Sequence, residues 1–295
     1  MRRLETGTQA AGLRSVIWDG LDADGQPVSS GVYRYILHAT TDYGLRTTDS
    51  VYDSSSTTGG EELQPREFVF DRQTGAMRWV MPKAGFARLR IGLEGFPHLR
   101  TLLDWEPLEA GEHTLQWDGL DASGLIRSSE HPNLSIKLSA FALPDNTMIV
   151  HGSSQTTDHG RRTMDSTYHP LARPDATYFH ARHPRAVCHD VAFRVEFPAA
   201  RRRSAEGYPV VSGVVPVRVS VDAPDVARVV NQRFEMVLYE DLTLLFEEEE
   251  SLSPFTFLWD TTKLPMGRHL LTVNLLTYDD HYGVLTTPVI IQTPT

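Results

Sequence analysis

The chain has a single cysteine, Cys188, among its 295 residues. One cysteine excludes an internal disulfide framework and a zinc site built from several cysteines. No run approaches the roughly 20 consecutive apolar residues of a membrane-spanning helix, so no membrane span is predicted. Residues 1–7 are basic but are not followed by an apolar stretch, so they do not form a signal peptide. The chain is then either cytoplasmic or begins downstream of the protein's true start.

Positive charge is also scarce. The 28 Lys and Arg residues are outnumbered by 38 Asp and Glu residues, which gives a net charge of −10. Because phosphate binding needs net or clustered positive charge, a general nucleic-acid binder is excluded. The one basic run, at 201–203, is typical of a solvated loop. A hydrophobic content of 40% with 22% charged residues predicts a folded chain.

Motifs of catalysis are missing as well. The sequence has no Gly-X-Ser-X-Gly, no phosphate-binding loop and no dinucleotide fingerprint. Cys188 and His189 are adjacent in sequence, which does not place the imidazole on the thiol. We therefore predict that the protein is not an enzyme and uses no cofactor.

The chain does contain a repeat. Trp-Asp-Gly-Leu-Asp-Ala-Asp-Gly at 18–25 returns as Trp-Asp-Gly-Leu-Asp-Ala-Ser-Gly at 117–124, and a reduced Trp-Asp-Thr-Thr stands at 259–262. Asp can accept hydrogen bonds from backbone amides ahead of it, and Gly permits positive φ, so each copy predicts tight turns. The repeated structural residues are Trp18, Asp19, Gly20, Asp22 and Gly25; Trp117, Asp118, Gly119, Asp121 and Gly124; and Trp259 and Asp260. Three copies of one β module are predicted.

A second repeat supports duplication. Residues 40–52 match residues 156–168, and both stretches follow a Trp-Asp-Gly motif. The spacing differs between the copies, so the second copy carries extra residues around 128–152. Two matching motifs in the same order favour duplication over chance.

Short alternating apolar runs occur about every ten residues, between Gly, Pro and Asp turns. They predict a strand over 13–18 with Val16 and Trp18 on one face, a hairpin around 73–75 and a strand over 87–93. No stretch has a convincing amphipathic helical period. The fold class predicted is all-β, with tandem immunoglobulin/fibronectin-III-like antiparallel β-sandwiches.

The predicted division of the chain follows the repeats and the composition. It comprises a partial module at 1–53, a linker at 54–62, a second module at 63–165, an extended Pro- and His-rich connector at 166–190, and a third module at 191–295.

The first copy is short, because few residues precede its Trp-Asp-Gly motif. Residues 1–4 correspond to residues 99–102 of the second copy, and the strands before them have no counterpart. An incomplete sandwich leaves an open sheet edge. Three explanations stand: residue 1 is internal to a longer protein, strands from another chain complete the module, or the first copy is a small trimmed sheet.

Four connector residues are candidate metal ligands: His180, His183, Cys188 and His189. Imidazole and thiolate ligate zinc and other transition metals. Histidines in a Pro-rich connector are more often solvated or packed on a partner, so no metal is assigned.

Other candidate sites have simpler interpretations. Asp19, Asp22 and Asp24 lack the ligand pattern and terminal Glu of a calcium loop, which leaves turn chemistry. The four glutamates at 247–250 are interpreted as a solvated turn. The three repeat tryptophans end strands, so we interpret them as core residues and not as a sugar-stacking set.

The motif runs from a glycine turn through a strand ending in Trp-Asp-Gly to a Gly-X-Tyr-X-Tyr strand, at 12–35 and, in part, at 111–124. It resembles the immunoglobulin-like domain of flagellar hook-capping proteins. The second copy departs from it at 133–136, and the stretch 254–269 is similar to bacterial immunoglobulin-like domains in general. The resemblance implies a β-sandwich with a structural, spacer or assembly role, usually outside the cytoplasm, and no catalytic residues. It does not imply hook capping.

The expected function is a non-catalytic structural or accessory subunit of an extracellular or periplasmic assembly. Its partners would be other protein subunits, in a homo- or hetero-oligomer, reached through strand edges and connector contacts. The alternatives are a carbohydrate- or surface-binding adhesion module of a secreted protein, and a metal-binding protein that uses the connector histidines.

Overall fold

The structure is a computed structural model, and it describes most of the second and third copies and parts of the first. The described residues are 2–4, 7, 16–28, 31–35, 39–40, 46–47, 61–95, 97–143, 147–150, 190–230, 234–277 and 282–292. Strands dominate this part of the chain, which confirms the all-β prediction. Among the same residues, no helix has both the length and the apolar character needed to cross a membrane.

The described part of the first copy contributes three short strands. They are β1 (Gly31–Arg34), β2 (Ala39–Thr40) and β3 (Arg46–Thr47). β2 and β3 pair with each other, whereas β1 pairs antiparallel with residues 147–150 of the second copy, so that Gly31 lies opposite Val150. A neighbour for β1 therefore comes from the same chain, across the predicted boundary between the first two modules.

The predicted strand over 13–18 is wrong for the residues described. Residues 16–18 are not in a strand, and the side chains of Val16 and Ile17 are 50% and 89% exposed. The equivalent strand of the second copy, at 111–116, pairs along its whole length with the hairpin strand at 76–81. Among the described residues no strand pairs with 16–18, and the side chains of Val16 and Ile17 therefore remain exposed.

The second copy forms two facing antiparallel sheets. Its strands are β4 (Glu62–Leu63), β5 (Arg66–Phe70), β6 (Ala76–Met81), β7 (Gly85–Leu93), β8 (His98–Leu108), β9 (Gly111–Gln116), β10 (Leu134–Ala142) and β11 (Thr147–Val150). One sheet has the order β4-β10-β7-β8 and the other β5-β6-β9. The predicted hairpin around 73–75 is the β5–β6 turn. A 3₁₀ turn, Ser128–Glu130, precedes β10.

The core of the second copy lies between these sheets. Its most deeply buried side chains come from alternate positions of β6 and β7, together with Ala140 of β10 and Trp117. On β7 these are Ala87, Leu89 and Ile91, in agreement with the predicted strand over 87–93. Residues 128–152, where extra length was expected, supply β10 and β11.

The third copy forms a three-stranded and a six-stranded sheet. Its elements are β12 (Phe193–Glu196), β13 (Arg202–Arg203), β14 (Pro209–Val211), β15 (Val214–Val221), α1 (Ala223–Val230), β16 (Phe234–Glu240), β17 (Thr243–Glu248), β18 (Phe255–Asp260), β19 (Gly267–Thr277) and β20 (Tyr282–Ile291). The sheet orders are β12-β15-β18 and β13-β14-β20-β19-β16-β17. All pairs are antiparallel except β14 with β20.

Three sequence expectations need correction here. The basic run at 201–203 is exposed, but Arg202 and Arg203 form strand β13 and are not a loop. The expectation that no amphipathic helix is present is wrong at α1, an amphipathic helix whose eight residues are fewer than the window over which a helical period is counted. The four glutamates at 247–250 do not all lie in a turn, because Glu247 and Glu248 belong to β17 and pair with β16. The predicted boundaries at 53–54 and 165–166 lie outside the described residues, so the division into modules stays a prediction.

Candidate functional site

The repeated turn of the second copy is held by a four-residue network. The indole Nε1 of Trp117 donates to the carbonyl oxygen of Leu120 at 2.9 Å. The Leu120 amide donates to Asp118 Oδ1 at 3.0 Å, and Arg100 donates to the same oxygen at 2.8 Å and to the Leu120 carbonyl at 3.2 Å. Burial raises the pKa of Asp118, but the Leu120 amide and the Arg100 guanidinium outweigh burial and hold the pKa below its usual value. The motif therefore needs an arginine outside its own sequence.

The first copy reproduces this network. Trp18 Nε1 donates to Leu21 O at 2.8 Å, and the Leu21 amide donates to Asp19 Oδ1 at 3.1 Å. Arg2 takes the place of Arg100, with nitrogens 2.6 and 3.0 Å from the two Asp19 carboxylate oxygens. The Leu21 amide, followed by Arg2, lowers the pKa of Asp19. The match of residues 1–4 with residues 99–102 is thus confirmed by the shared role of the two arginines.

The second aspartate of each motif closes the following turn. Asp121 is buried, and its Oδ1 accepts the amides of Leu125 and Ile126, both at 2.9 Å. Asp22 Oδ1 accepts the amides of Asp24 and Gln26 at 2.9 and 2.8 Å. These carboxylate oxygens are engaged with backbone donors, as turn chemistry requires.

The two glycines of each motif adopt the positive φ expected of them. Gly20 and Gly119 have φ of +75° and +81°, and Gly25 and Gly124 have +75° and +74°. This part of each copy is a structural element.

The third copy keeps only half of this pattern. Asp260 Oδ1 accepts the Thr262 amide at 3.0 Å, as the first aspartate of the other copies accepts an amide two residues ahead. Thr261 replaces the motif glycine, and it donates to the carbonyl oxygen of Gly213 through its amide at 2.9 Å and its hydroxyl at 2.7 Å. The turn is therefore tied to the start of β15 in place of the glycine turn.

The three repeat tryptophans differ in burial. Trp259 is fully buried, and its indole nitrogen has no hydrogen-bond partner among the described residues. Trp117 is buried as well, whereas Trp18 is only half-buried and packs on Tyr33 with ring centroids 5.3 Å apart. The core interpretation therefore holds for the second and third tryptophans and only partly for the first.

The sheets of the second and third copies meet at a junction built on β7 and β20. Arg88 and Arg90 point away from the core of the second copy, yet they are only 6% and 7% exposed. The guanidinium carbon of Arg90 lies 3.4 Å from the ring centroid of Tyr282, and that of Arg88 lies 4.3 Å from the centroid of Trp105. Desolvated cation–π contacts of this kind contribute about 2 kcal/mol each.

An apolar contact lies beside these arginines. Leu93, Leu99 and Ile126 of the second copy form a buried cluster against which Leu242 and Leu270 of the third copy pack. The junction thus combines an apolar patch with buried charges, and it covers the outer face of β7 at this end.

A polar chain continues the junction from His98 to the start of the third copy. Thr101 Oγ1 donates to Asp190 Oδ1 at 2.9 Å, because a carboxylate only accepts. The hydroxyl oxygen then accepts from His98 Nε2, 3.1 Å away, which makes His98 the Nε2–H tautomer. Burial, followed by the charge of Arg88, lowers the pKa of His98 to about 4, so the ring is neutral at physiological pH.

A cavity of about 250 Å³ opens next to this chain. It lies between the two sheets and is lined in part by Arg90, His98, Tyr239, Asn274 and Tyr282. Sequence reasoning assigned no role to these residues, because nothing in their local pattern marks them as neighbours.

A cluster of Glu240, Asp241 and His269 was also missed. His269 Nδ1 lies 2.6 Å from Glu240 Oε1 and 2.8 Å from Asp241 Oδ2, and Nε2 lies 2.8 Å from Pro265 O. Burial opposes protonation of His269, but the Pro265 carbonyl and the two carboxylates outweigh it and raise the pKa of the ring. Burial is the main cause that raises the pKa of Glu240. The carboxylates lie at the end of β16 and in the turn after it, whereas the histidine lies on β19. They share no sequence motif, so no sequence signal joins them.

The acidic residues of β16 and β17 show a related effect. Burial, then a hydrogen bond with Glu247 and the charges of Glu247 and Glu249, raise the pKa of Glu235. The predicted connector ligands His180, His183, Cys188 and His189 lie outside the described residues.

Comparison with known proteins agrees with the domain type in the first copy. Residues 1–42 match the model of the FlgD Ig-like domain. The match supports an immunoglobulin-like domain type for this stretch, which is a small part of the 295-residue chain. A search of curated proteins found no match.

The solved structures that match this chain share little sequence with it. Fibronectin(III)-like modules of Clostridium thermocellum CbhA are 13% identical, over 35% of this chain and 100% of theirs, with a TM-score of 0.24. The endo-β-1,4-mannanase of Thermotoga petrophila is 16% identical over 35% of this chain and 20% of its own, with a TM-score of 0.26. The extracellular domain of a putative hybrid two component system from B. thetaiotaomicron is 12% identical, over 78% of this chain and 26% of its own, with a TM-score of 0.25. The chain therefore spans about a fifth of the mannanase and about a quarter of the two-component-system domain. TM-scores this low carry no argument about this chain.

Proposed function

We propose that this protein is a non-catalytic structural or accessory subunit of an extracellular or periplasmic assembly. In this role its immunoglobulin-like modules form a stiff spacer, and its strand edges and connector contact other protein subunits. The location outside the cytoplasm is supported by the FlgD Ig-like match over residues 1–42.

One observation carries the proposal: β7 is buried on both faces. Its core face packs inside the second copy, while its outer face is covered at one end by the first copy and at the other by the third. Phe86 lies in a cluster with Val32 of β1 and Ile149 of β11, and Arg90 lies under Tyr282 of β20. Buried surface that is shared in this way restricts motion between the units, as a spacer requires.

The chemistry of the repeated motif also favours a structural role. Its aspartates accept backbone amides and arginine donors, and its glycines shape turns. Groups engaged in this way stabilise a turn and are not poised to attack a substrate.

Stiffness can be measured with paired spin labels. Glu112 in the second copy and Glu206 in the third are exposed, so cysteine substitution at both, in a Cys188→Ser chain, gives two labelling sites. We expect a single narrow distance distribution, and a broader one after Tyr282→Leu. A broad distribution in the chain with the native junction would contradict the spacer role.

Assembly is tested by light scattering on the purified full chain, followed by chemical cross-linking in its native host. A defined oligomer, or one reproducible cross-linked partner, would support a subunit role. A monomer without cross-links that binds oligosaccharides on a glycan array would instead support the adhesion alternative. Among the described residues, the large aromatic side chains that are exposed are Tyr35 and Phe68, and they lie in different copies.

A further inference from the structure

Three metal-ligating side chains converge at one corner of the six-stranded sheet. Glu240 ends β16, Asp241 begins the turn that follows, and His269 lies on the neighbouring strand β19. One donor atom from each of the three side chains lies within 4.8 Å of the others. The imidazole is 8% exposed, the Glu240 side chain 17% and the Asp241 side chain 48%.

The backbone determines which imidazole nitrogen faces the carboxylates. Nε2 of His269 is 2.8 Å from the carbonyl oxygen of Pro265, which can only accept, so Nε2 carries a hydrogen. In the neutral ring, Nδ1 then presents a lone pair toward Glu240 Oε1 and Asp241 Oδ2. Three electron-pair donors that point at one another require either a proton among them, on Nδ1 or on a carboxylate, or a metal ion.

The carboxylate of Asp241 is oriented by a second contact. The Leu270 amide donates to Asp241 Oδ1 at 2.8 Å, which leaves Oδ2 directed at His269. The Asp241 amide donates to Leu270 O at 2.9 Å, and Asp241 has a φ of +46°, so the turn is tied to β19 at this residue. In protein metal sites, a ligating histidine usually donates its other ring N–H to a carbonyl or carboxylate, and a ligating carboxylate is usually held by a hydrogen bond. His269 and Asp241 have these two supporting contacts.

We propose that Glu240, Asp241 and His269 bind a first-row divalent transition metal ion, with zinc as the best match, and that water completes the coordination. An imidazole with two carboxylates suits zinc, whereas calcium and magnesium prefer oxygen donors alone. Metal–ligand distances of about 2 Å need the donor atoms to separate from their hydrogen-bonded spacing to roughly 3 Å. The exposed Asp241 side chain allows this movement, and the proton on Nδ1 leaves to solvent as the ion binds.

The position of the site gives the ion a structural consequence. Leu242 follows Asp241 directly and Leu270 follows His269, and both leucines pack on the apolar cluster of the second copy. An ion that joins Asp241 to His269 therefore fixes the two leucines that contact the neighbouring sheet. This inference does not depend on the proposed spacer function.

The test uses zinc alone with the full chain, measured by isothermal titration calorimetry at about pH 7.5, where zinc competes with the proton on Nδ1 and binding releases it. To remove the connector ligands, the background chain carries His180→Gln, His183→Gln, Cys188→Ser and His189→Gln. We expect one zinc ion to bind in this background, and the affinity to fall at least about tenfold in His269→Gln and in Asp241→Asn. Asp241→Asn retains an oxygen for the Leu270 amide, so it separates ligation from folding. The control His113→Gln changes a histidine whose ring contacts a carbonyl and Trp79, and we expect no loss there.

Nitrogen NMR of the imidazole rings supplies a readout independent of affinity. Zinc is expected to shift Nδ1 of His269 while Nε2 keeps its hydrogen, and calcium is expected to leave both unchanged. The proposal is overturned if zinc at millimolar concentration leaves the His269 signals unchanged, if zinc binding disappears with the connector ligands alone, or if calcium produces the same shift.

Discussion

The side-chain amide of Asn274 forms two hydrogen bonds with the backbone of His98, 176 residues away. The His98 amide donates to Asn274 Oδ1 at 2.8 Å, and Asn274 Nδ2 donates to His98 O at 2.9 Å. The Asn274 side chain thereby forms the pair of hydrogen bonds that a neighbouring strand would form with β8, and it joins the third copy to the second. The Asn274 side chain is only 7% exposed, so both bonds lie largely away from bulk water.

Asn274→Ala is expected to lower the free energy of unfolding by about 2 to 3 kcal/mol. The substitution leaves an amide and a carbonyl of His98 without these partners in a buried place, and the cost of such groups exceeds the net value of the bonds. Urea denaturation of both chains measures the difference. Asn133→Ala, at an exposed turn, serves as the control, and we expect a change within about 0.5 kcal/mol. Equal effects of the two substitutions would contradict a stabilising junction.

Tyr282→Leu is expected to cost about 2 kcal/mol, because it removes the ring over which the buried Arg90 guanidinium lies. The matched control is Tyr208→Leu, where Arg268 lies 5.7 Å from the ring centroid in a more exposed setting. That control should cost well under about 1 kcal/mol from its cation–π contact. Thermal denaturation compares the two, and a larger loss for Tyr208→Leu would show that the burial of Arg90 is not stabilising.

Gly119→Ala is expected to destabilise the protein more than Gly20→Ala. Both glycines have positive φ, which costs an L residue about 1 to 2 kcal/mol. A Cβ at Gly119 would also lie 2.5 Å from Ser129 Oγ, whereas a Cβ at Gly20 meets nothing within 4 Å. The extra overpacking adds about 1 to 3 kcal/mol to the first variant. Denaturant midpoints measured on both variants test the order, and the reverse order would refute the account.

His98 predicts a pH dependence of stability. In the folded protein its pKa is lowered to about 4, while in the unfolded chain it stays near the usual 6.5. Between these values the unfolded state binds more protons, so stability is lost as pH falls from about 6.5 to 4. The largest loss from this group is about 3 kcal/mol, and it is smaller where water reaches the ring.

The measurement compares the full chain with its His98→Gln variant at several pH values. Because glutamine does not titrate, the stability advantage of the wild-type chain should shrink as the pH is lowered through this window. A difference that stays constant from about pH 7 to about pH 4 would mean that His98 does not titrate in the way its surroundings imply.

The turns and the strand β7 could be predicted from the sequence because the interactions that form them involve residues close together in the chain. The aspartates of the Trp-Asp-Gly motif bond to amides two to five residues ahead, so residue type and spacing alone predicted the turns. Apolar alternation predicted β7, and the second repeat placed extra strands around 128–152. The strand expected over 13–18 failed because the same alternation needs a neighbour that the described part of the first copy does not supply.

By itself, the sequence determined an all-β chain with repeated turns, because hydrogen bonds within a few residues and alternation along a strand depend only on neighbouring side chains. Tertiary structure alone decided that Arg88 and Arg90 are buried, that Asn274 reaches His98 and that His269 meets Glu240 and Asp241. Arginines at alternate positions of a strand are typical of a face exposed to solvent. This face of β7 is buried only because another sheet packs against it. These contacts join residues that are 28 to 176 positions apart in the chain, and they depend on how the sheets pack. The residues that flank each side chain in sequence therefore do not predict which distant side chain it contacts.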